Sequence, residues 1–295
     1  MTSLTEKLAS THLGQTSKGS DLYDKGLLVA VPRSENREQY SITPEALPFV
    51  GYDIWNAYEV SFMTVSNVPM SGVLKIKYPC NNPSIVESKS IKLYLNSFNM
   101  TPLKATIQES KDFFLKQVEA DLSELLQTEV KAVFHDKFTS LESRMLPGFT
   151  PIEELIDLDS LVCNNFKEAP ELLEVVEVPM NIKFSFSSLR SNCRVTHQPD
   201  FGDLFIHIEA NKSVSLESVF KYVTSFRKES HFHEECVEMI YKRLLDVLQP
   251  TSLMVTALYT RRGGISIYPV RANKPELLDV ELLDITQYTK RTIKD

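Results

Sequence analysis

The chain has 295 residues, 42% of them apolar and 24% charged, with a formal charge of −7. That is room for two ordinary domains, and it excludes disordered and fibrous classes. No apolar run approaches the roughly 20 residues of a membrane-spanning helix, and an acidic chain is a poor general nucleic-acid binder, which needs basic surface to displace counterions.

Four cysteines (Cys80, Cys163, Cys193, Cys236) include no C-x-x-C pair, so a structural zinc site has weak support. The polar start "MTSLTEKLASTHLGQ" lacks the apolar stretch of a signal peptide, which points to reduced thiols and a cytoplasmic address.

In chain order, strand-like runs come first: "YEVSFMTV" (58–65) and "GVLKIKYP" (72–79). Glu87-Ser88-Lys89, with Lys92, then open a helix for which Ser88 is the expected N-cap. An amphipathic helix follows over 108–126, with Phe114, Val118, Leu122 and Leu125 on one face, and then the strand "EVKAVFHD" (129–136). The Pro- and acid-rich stretch 146–179 reads as a connection. Beyond it the order recurs. "NIKFSFSSL" and "DLFIHIEA" are strands, and 233–248 is a helix with Val237, Ile240, Leu244 and Leu248 on one face. "LMVTALYTRRGGISIYPV" (253–270) is a hairpin turning at Gly263-Gly264.

"SIKLYLNSF" (90–98) and "SVFKYVTSF" (218–226) also match in a fixed register 128 residues apart. The repeat predicts an internal duplication: an α+β protein of two modules, 1–145 and 180–295, joined by 146–179, each an antiparallel sheet with helices on one face. The halves are unequal. Only the second carries a thiol at Cys193 with Asp200 near it and "HFHEE" further on; only the first carries "ESK" at 87–89, opposite "SLE" at 215–217. A composite site, where halves or subunits meet, accounts for that division.

Several residues have chemical potential, each with a plain structural alternative. Cys193 is either a small buried hydrophobe or a nucleophile activated by Arg194 and His197. Asp200, between Pro199 and Gly202, is either a turn aspartate or a carboxylic acid that exchanges a proton beside a thiolate; Asp203 is its rival. Glu234 suits a helix N-terminus through the macrodipole, and equally suits hydrogen bonding to the N1–H and 2-amino group of a guanine-like edge, with His233 beside it. Lys89, Lys92 and the arginines of "YTRRGG" would make an anion site if clustered. No G-x-G-x-x-G or P-loop occurs to take that role.

The segment "ESKSIKLYLNSF" (87–98) closely resembles a signature of the NADPH-dependent nitrile reductases that convert 7-cyano-7-deazaguanine to its aminomethyl counterpart. "LLVAVPRSENR" (27–37), "GYDIWNAYEVSF" (51–62), "SNCRVTHQPDFGD", "FHEECVE" and "YTRRGGISIYP" resemble its other blocks, and the likeness is weakest over 137–178. The resemblance is to the long, two-module branch. It implies a tandem tunnelling fold (T-fold) that assembles as a homodimer and acts on a free base in the queuosine pathway, without contacting nucleic acid or membrane. It also implies that Cys193 adds to the nitrile carbon to give a thioimide and that Asp200 protonates the nitrogen. Val86, Glu87, Ser88, His233 and Glu234 would hold the base; Ser88, Lys89, Arg262 and Gly263 would contact NADPH; no metal is implied. Two other readings remain open: a zinc-dependent cyclohydrolase of the same fold, with Cys193 and a histidine as ligands, and a non-catalytic purine-binding protein.

Overall fold

The computed structural model describes residues 22–135, 143–144, 146, 148–157, 161–195, 197, 199–278, 280–286 and 288–289. The polar start and parts of 137–178 therefore lie outside the described residues.

Seven long strands form the frame: β1 (Val50–Met63), β2 (Pro69–Pro79), β3 (Lys131–His135), β4 (Met180–Asn192), β5 (Pro199–Ala210), β6 (Ser252–Tyr259) and β7 (Ile265–Ala272). They lie side by side in one sheet, in the order β3-β2-β1-β7-β6-β5-β4, and the two-residue strand Thr150–Pro151 extends the far edge. Every neighbour is antiparallel except that last, parallel pair. The strand runs expected from alternation are thus found, and β7 joins the two ends by pairing with β1 on one side and β6 on the other. The β6–β7 hairpin closes through Arg262 and Ile265, with Gly263 and Gly264 at φ 57° and 81°. Two consecutive positive φ values are what a tight hairpin turn asks of glycine.

Four helices pack on one face: α1 (Ser88–Asn96), α2 (Ile107–Leu126), α3 (Leu216–Ser225) and α4 (His233–Leu248). The sequence strand, strand, helix, helix, strand occurs twice, and α3 begins 128 residues after α1. Each run of elements has its own core. Trp55, Leu74 and Ile76 meet Ile91, Phe114, Val118 and Leu122, joined by Ile265 and Ile267 of β7. Phe184, Leu204 and Val255 meet Tyr222, Val237, Ile240 and Leu244. In α2 the last buried contact is Leu126, and the expected Leu125 sits at the margin, a one-residue shift of the apolar stripe.

The opposite face of the sheet carries a smaller cluster of Ile54, Phe205, Met254, Leu258, Tyr268 and Val270, against which Leu146 and Leu282 pack. The C-terminal segment is tied there by hydrogen bonds to its carbonyls: Lys75 to Asp284 (3.3 Å), Lys77 to Leu283 (2.9 Å) and His135 Nε2 at 2.9 Å from Ile285 O. Burial pushes the Lys75 ammonium down to about 8.

Candidate active site

One cavity of about 600 Å³ opens between the N-terminal ends of α1 and α4, the loop after β4, the start of β5 and the β6–β7 turn. Its size is ordinary for a small-molecule pocket. The lining includes the ten residues to which the family resemblance gives catalytic, base-holding or cofactor roles: Val86, Glu87, Ser88, Lys89, Cys193, Asp200, His233, Glu234, Arg262 and Gly263; Asp203 is not among the lining residues. Trp55, Lys92, His231, Phe232 and Ile267 line it as well. Residues from both halves therefore meet within a single chain.

Cys193 is half-buried in the loop that follows β4. The loop is held to the approach of α4: Asn192 N donates to Glu229 O (2.7 Å) and His231 N to Asn192 O (3.0 Å). Arg194 and His197, expected to act on the thiol, are engaged elsewhere and do not line the cavity. Arg194 pairs with Glu235 at 2.7 Å, and His197 Nδ1 lies 3.1 Å from Ser230 Oγ.

Asp200 is not a turn residue. Pro199 begins β5, where a missing N–H is tolerated, and Asp200 pairs across to Ser191 of β4. It is 3% exposed. Arg262 forms an ion pair with one carboxylate oxygen, and His233 Nε2 lies 3.5 Å from the other. Burial works to raise its proton affinity, but His233 and Arg262 outweigh it and hold the carboxyl below its ordinary value. The His233 ring is stacked on Tyr259, 3.8 Å between centroids and 7° between planes. Gly202 makes room for that tyrosine, since a Cβ there would lie 3.2 Å from the ring.

The cap of α1 is Glu87, not Ser88: its buried carboxylate accepts from Lys89 N (3.0 Å) and Ser90 N (2.8 Å). An N-cap carboxylate satisfies two of the helix's free amides and meets the positive end of its dipole. At the matching place on α3 the cap is Ser215.

Glu234, in the first turn of α4, is 2% exposed, and its Oε1 has no hydrogen-bond partner. Burial, reinforced by the charge of Asp53, pushes its carboxyl up to about 8 against the opposing pull of Arg33 and Arg271. Those groups belong to a buried ion network. Asp53 pairs with Arg33 and Arg271 (2.9 Å to the latter), and Glu238 pairs with Arg37 (2.8 Å) and Arg271 (2.9 Å). Sequence reasoning missed this network. Its one signal was a charge at a helix-facing strand position, because Asp53 alternates with the buried Trp55 and Ala57. His231, which beside His233 could be solvated on sequence grounds, is instead largely buried on the cavity wall; despite burial, Glu229 (3.1 Å) and Glu235 (3.4 Å) lift it to about 9.

Lys89, Lys92 and Arg262 line the cavity together with Gly263. A Cβ on Gly263 would lie 2.6 Å from Lys92 Nζ, so the absent side chain is what lets the turn approach that lysine. Cations around a bare backbone turn suit an anionic ligand such as a dinucleotide phosphate. Among the described residues, no three His, Cys, Asp or Glu side chains converge as a metal site.

Comparison with known proteins accords with this geometry. A family model described as nitrile reductase, 7-cyano-7-deazaguanine-reductase N-term, matches residues 20–134, and one described as QueF-like protein matches 199–276. A protein of Legionella pneumophila (strain Lens) named NADPH-dependent 7-cyano-7-deazaguanine reductase is 33% identical over 269 residues, covering 91% of this chain and 92% of that one. The chain belongs to the 7-cyano-7-deazaguanine nitrile reductase family. The two family matches divide between the halves. The first takes in Glu87 and Lys89, and the second Asp200, Glu234 and Arg262, while Cys193 falls just ahead of the second. A solved structure, the archaeosine synthase QueF-Like in the apo form, aligns with 32% of this chain and 91% of its own, at 19% identity and a TM-score of 0.28.

Proposed function

We propose that this member of the nitrile reductase family reduces the nitrile of 7-cyano-7-deazaguanine to the primary amine, with NADPH as reductant and Cys193 as covalent nucleophile. The observation that carries the reading is the meeting of Cys193, Asp200, Glu234 and the Lys89/Lys92/Arg262 cations on one cavity. Each matches one demand of the reaction: a nucleophile, a proton carrier, a recognition element and an anion site.

The base would lie against α1 and α4. Glu234 has a buried oxygen without a partner, and the N1–H and 2-amino group of a deazaguanine supply two donors for such a carboxylate. Val86, Glu87, Ser88 and His233 would complete that side. A nitrile is a poor hydride acceptor, and addition of a thiolate converts it to a protonatable thioimide, splitting one difficult step into easier ones. In the empty site Asp200 is held as a carboxylate, so it acts first as base and then as acid. It takes the proton of the Cys193 thiol, sulfur bonds to the nitrile carbon, the π electron pair moves to nitrogen, and Asp200 returns the proton there. NADPH, when bound, would supply one hydride per molecule, so two molecules in succession provide the four electrons; departure of the Cys193 thiolate from carbon between the two deliveries, with two protons from solvent, completes the amine and frees the enzyme. Ser88, Lys89, Arg262 and Gly263 would hold the dinucleotide, and Trp55, Phe232 and Ile267 would keep the reacting carbon from water.

The same reading takes the repeated element order as two T-fold modules, 1–145 and 180–295, joined by 146–179 and assembled as a homodimer. The substrate is then the free base, handled in the cytoplasm on the way to queuosine in tRNA. The deciding experiment mixes the protein with the nitrile base and weighs it intact. A gain equal to the ligand mass, absent in Cys193→Ala, together with NADPH oxidation that the same substitution abolishes, is the expected result. Amine formation by Cys193→Ala would refute covalent catalysis.

A further inference from the structure

Arg262 stands between two kinds of partner. It is paired with Asp200, and it lines the same cavity as Lys89 and Lys92, the latter packed against Gly263 next to it. The pair is also unequal. The Arg262 side chain is 34% exposed, whereas that of Asp200 is 4% exposed and fixed on β5. The guanidinium is on a turn and can swing away; the carboxylate cannot follow.

The surroundings of Asp200 determine what such a movement does. From α4 it is faced by His233 and Cys236, from β6 by Tyr259, and from the hairpin turn by Arg262. Burial pushes the Cys236 thiol up to about 12 and the Tyr259 hydroxyl well above its ordinary value, so neither takes part near neutrality. His233 and Arg262 remain as the ionisable partners. A buried carboxylate that loses a cationic partner such as Arg262 becomes a stronger base.

We propose that Arg262 is shared between Asp200 and the phosphates of the dinucleotide, so that cofactor docking withdraws it from Asp200 and loads that carboxyl with a proton from solvent. The inference rests on the reductase reading and adds a coupling that the reading does not require. It gives the site a way to hold an available proton when the hydride donor is in place, and to keep Asp200 ionised when it is not.

The test uses NADPH without the nitrile base. Trp55, the chain's one tryptophan, lines the cavity and reports binding by fluorescence. Proton uptake is read in weak buffer with an indicator dye. Wild-type protein should take up protons as NADPH binds, with affinity falling as pH rises. In Asp200→Asn that uptake should be lost, leaving only the phosphate's own titration, while affinity stays equal or improves, because the guanidinium no longer has a competing carboxylate. Arg262→Ala should lose affinity by tenfold or more and should also lose the uptake. The phosphate monoester titrates near pH 6, and subtracting the Asp200→Asn signal removes its share. Binding with the same pH dependence in wild type and Asp200→Asn would overturn the coupling and leave the reductase reading intact. No binding of NADPH at all would overturn both.

Discussion

Glu234 offers the sharpest test of how the base is recognised. Its carboxyl is buried, lacks a partner at Oε1 and is pushed up to about 8 by burial and by Asp53. At neutral pH the empty site therefore holds mostly the neutral acid, which presents one acceptor and one donor. The deazaguanine edge presents two donors and needs the carboxylate. Below about pH 8 binding must displace a proton, so the sign is fixed: affinity rises with pH up to that point and then levels. With the carboxyl at about 8, roughly one molecule in ten is ionised at pH 7, a tenfold loss of apparent affinity, or about 1.4 kcal/mol. Each further unit of acid costs about the same again. The assay is titration of Cys193→Ala protein, which binds without bonding, by Trp55 fluorescence and calorimetry in two buffers of different ionisation enthalpy. Release of nearly one proton per base near pH 7 is expected, and Glu234→Gln should weaken binding and remove the pH dependence. Linkage gives an independent check. A carboxyl whose folded value is raised stabilises the fold at low pH and loses that contribution as pH rises from about 4.5 to about 8. The empty protein should therefore melt lower across that window, less so in Glu234→Gln. A flat binding profile between about pH 6 and pH 8 would mean that the carboxylate is already ionised, and the recognition argument would fall.

Three other outcomes follow from the same site. Tyr259→Leu removes the ring on which His233 is stacked; such contacts are worth about 0.5–1.5 kcal/mol, so turnover should drop up to about tenfold. Tyr259→Phe keeps the ring and should retain turnover; an equal loss in both variants would discredit the stacking role. Asp53→Ala takes one buried carboxylate from Arg33 and Arg271 and leaves them to share Glu238; breaking a buried pair costs about 3–5 kcal/mol, readable as a lowered urea midpoint. Lys92→Ala should weaken NADPH more than the nitrile base; the reverse ranking would move Lys92 out of the cofactor region.

The strands and helices were legible because their signals are local. Alternation marks β2, β4 and β5, and the stripe Val237-Ile240-Leu244-Leu248 marks α4. Ten cavity residues were also named from sequence, several of them through family likeness as well as chemistry. The misreadings have physical causes. Propensity favours Ser88 as the cap of α1, yet Glu87 reaches two amides while Ser88 bonds to Glu87 itself. Asp200 looked like a turn residue because Pro199 and Gly202 flank it, but proline can open a strand and Gly202 yields space to Tyr259. The network of Arg33, Arg37, Asp53, Glu238 and Arg271 spans more than 200 positions between Arg37 and Glu238, and no window of sequence shows that separation closing.

The repeat explains why the chemistry is divided. In register 128 apart, Glu87 and Ser215 are both helix caps, and the loop that carries Cys193 corresponds to the one that carries the exposed Val65. The same scaffold position thus holds a cavity carboxylate in one half and an ordinary serine cap in the other, a cavity thiol in one and an apolar loop residue in the other. Because β7 pairs with both β1 and β6, the two unequal halves are hydrogen-bonded side by side in one sheet. That continuity brings the N-terminus of α1 and that of α4 to the same cavity. A change on β7 that slipped its register with β1 by one residue would turn Ile265 and Ile267 away from the cavity and exchange Arg271 for a neighbour. Loss of base binding and of the buried ion network would then come together, even though no site residue had been touched.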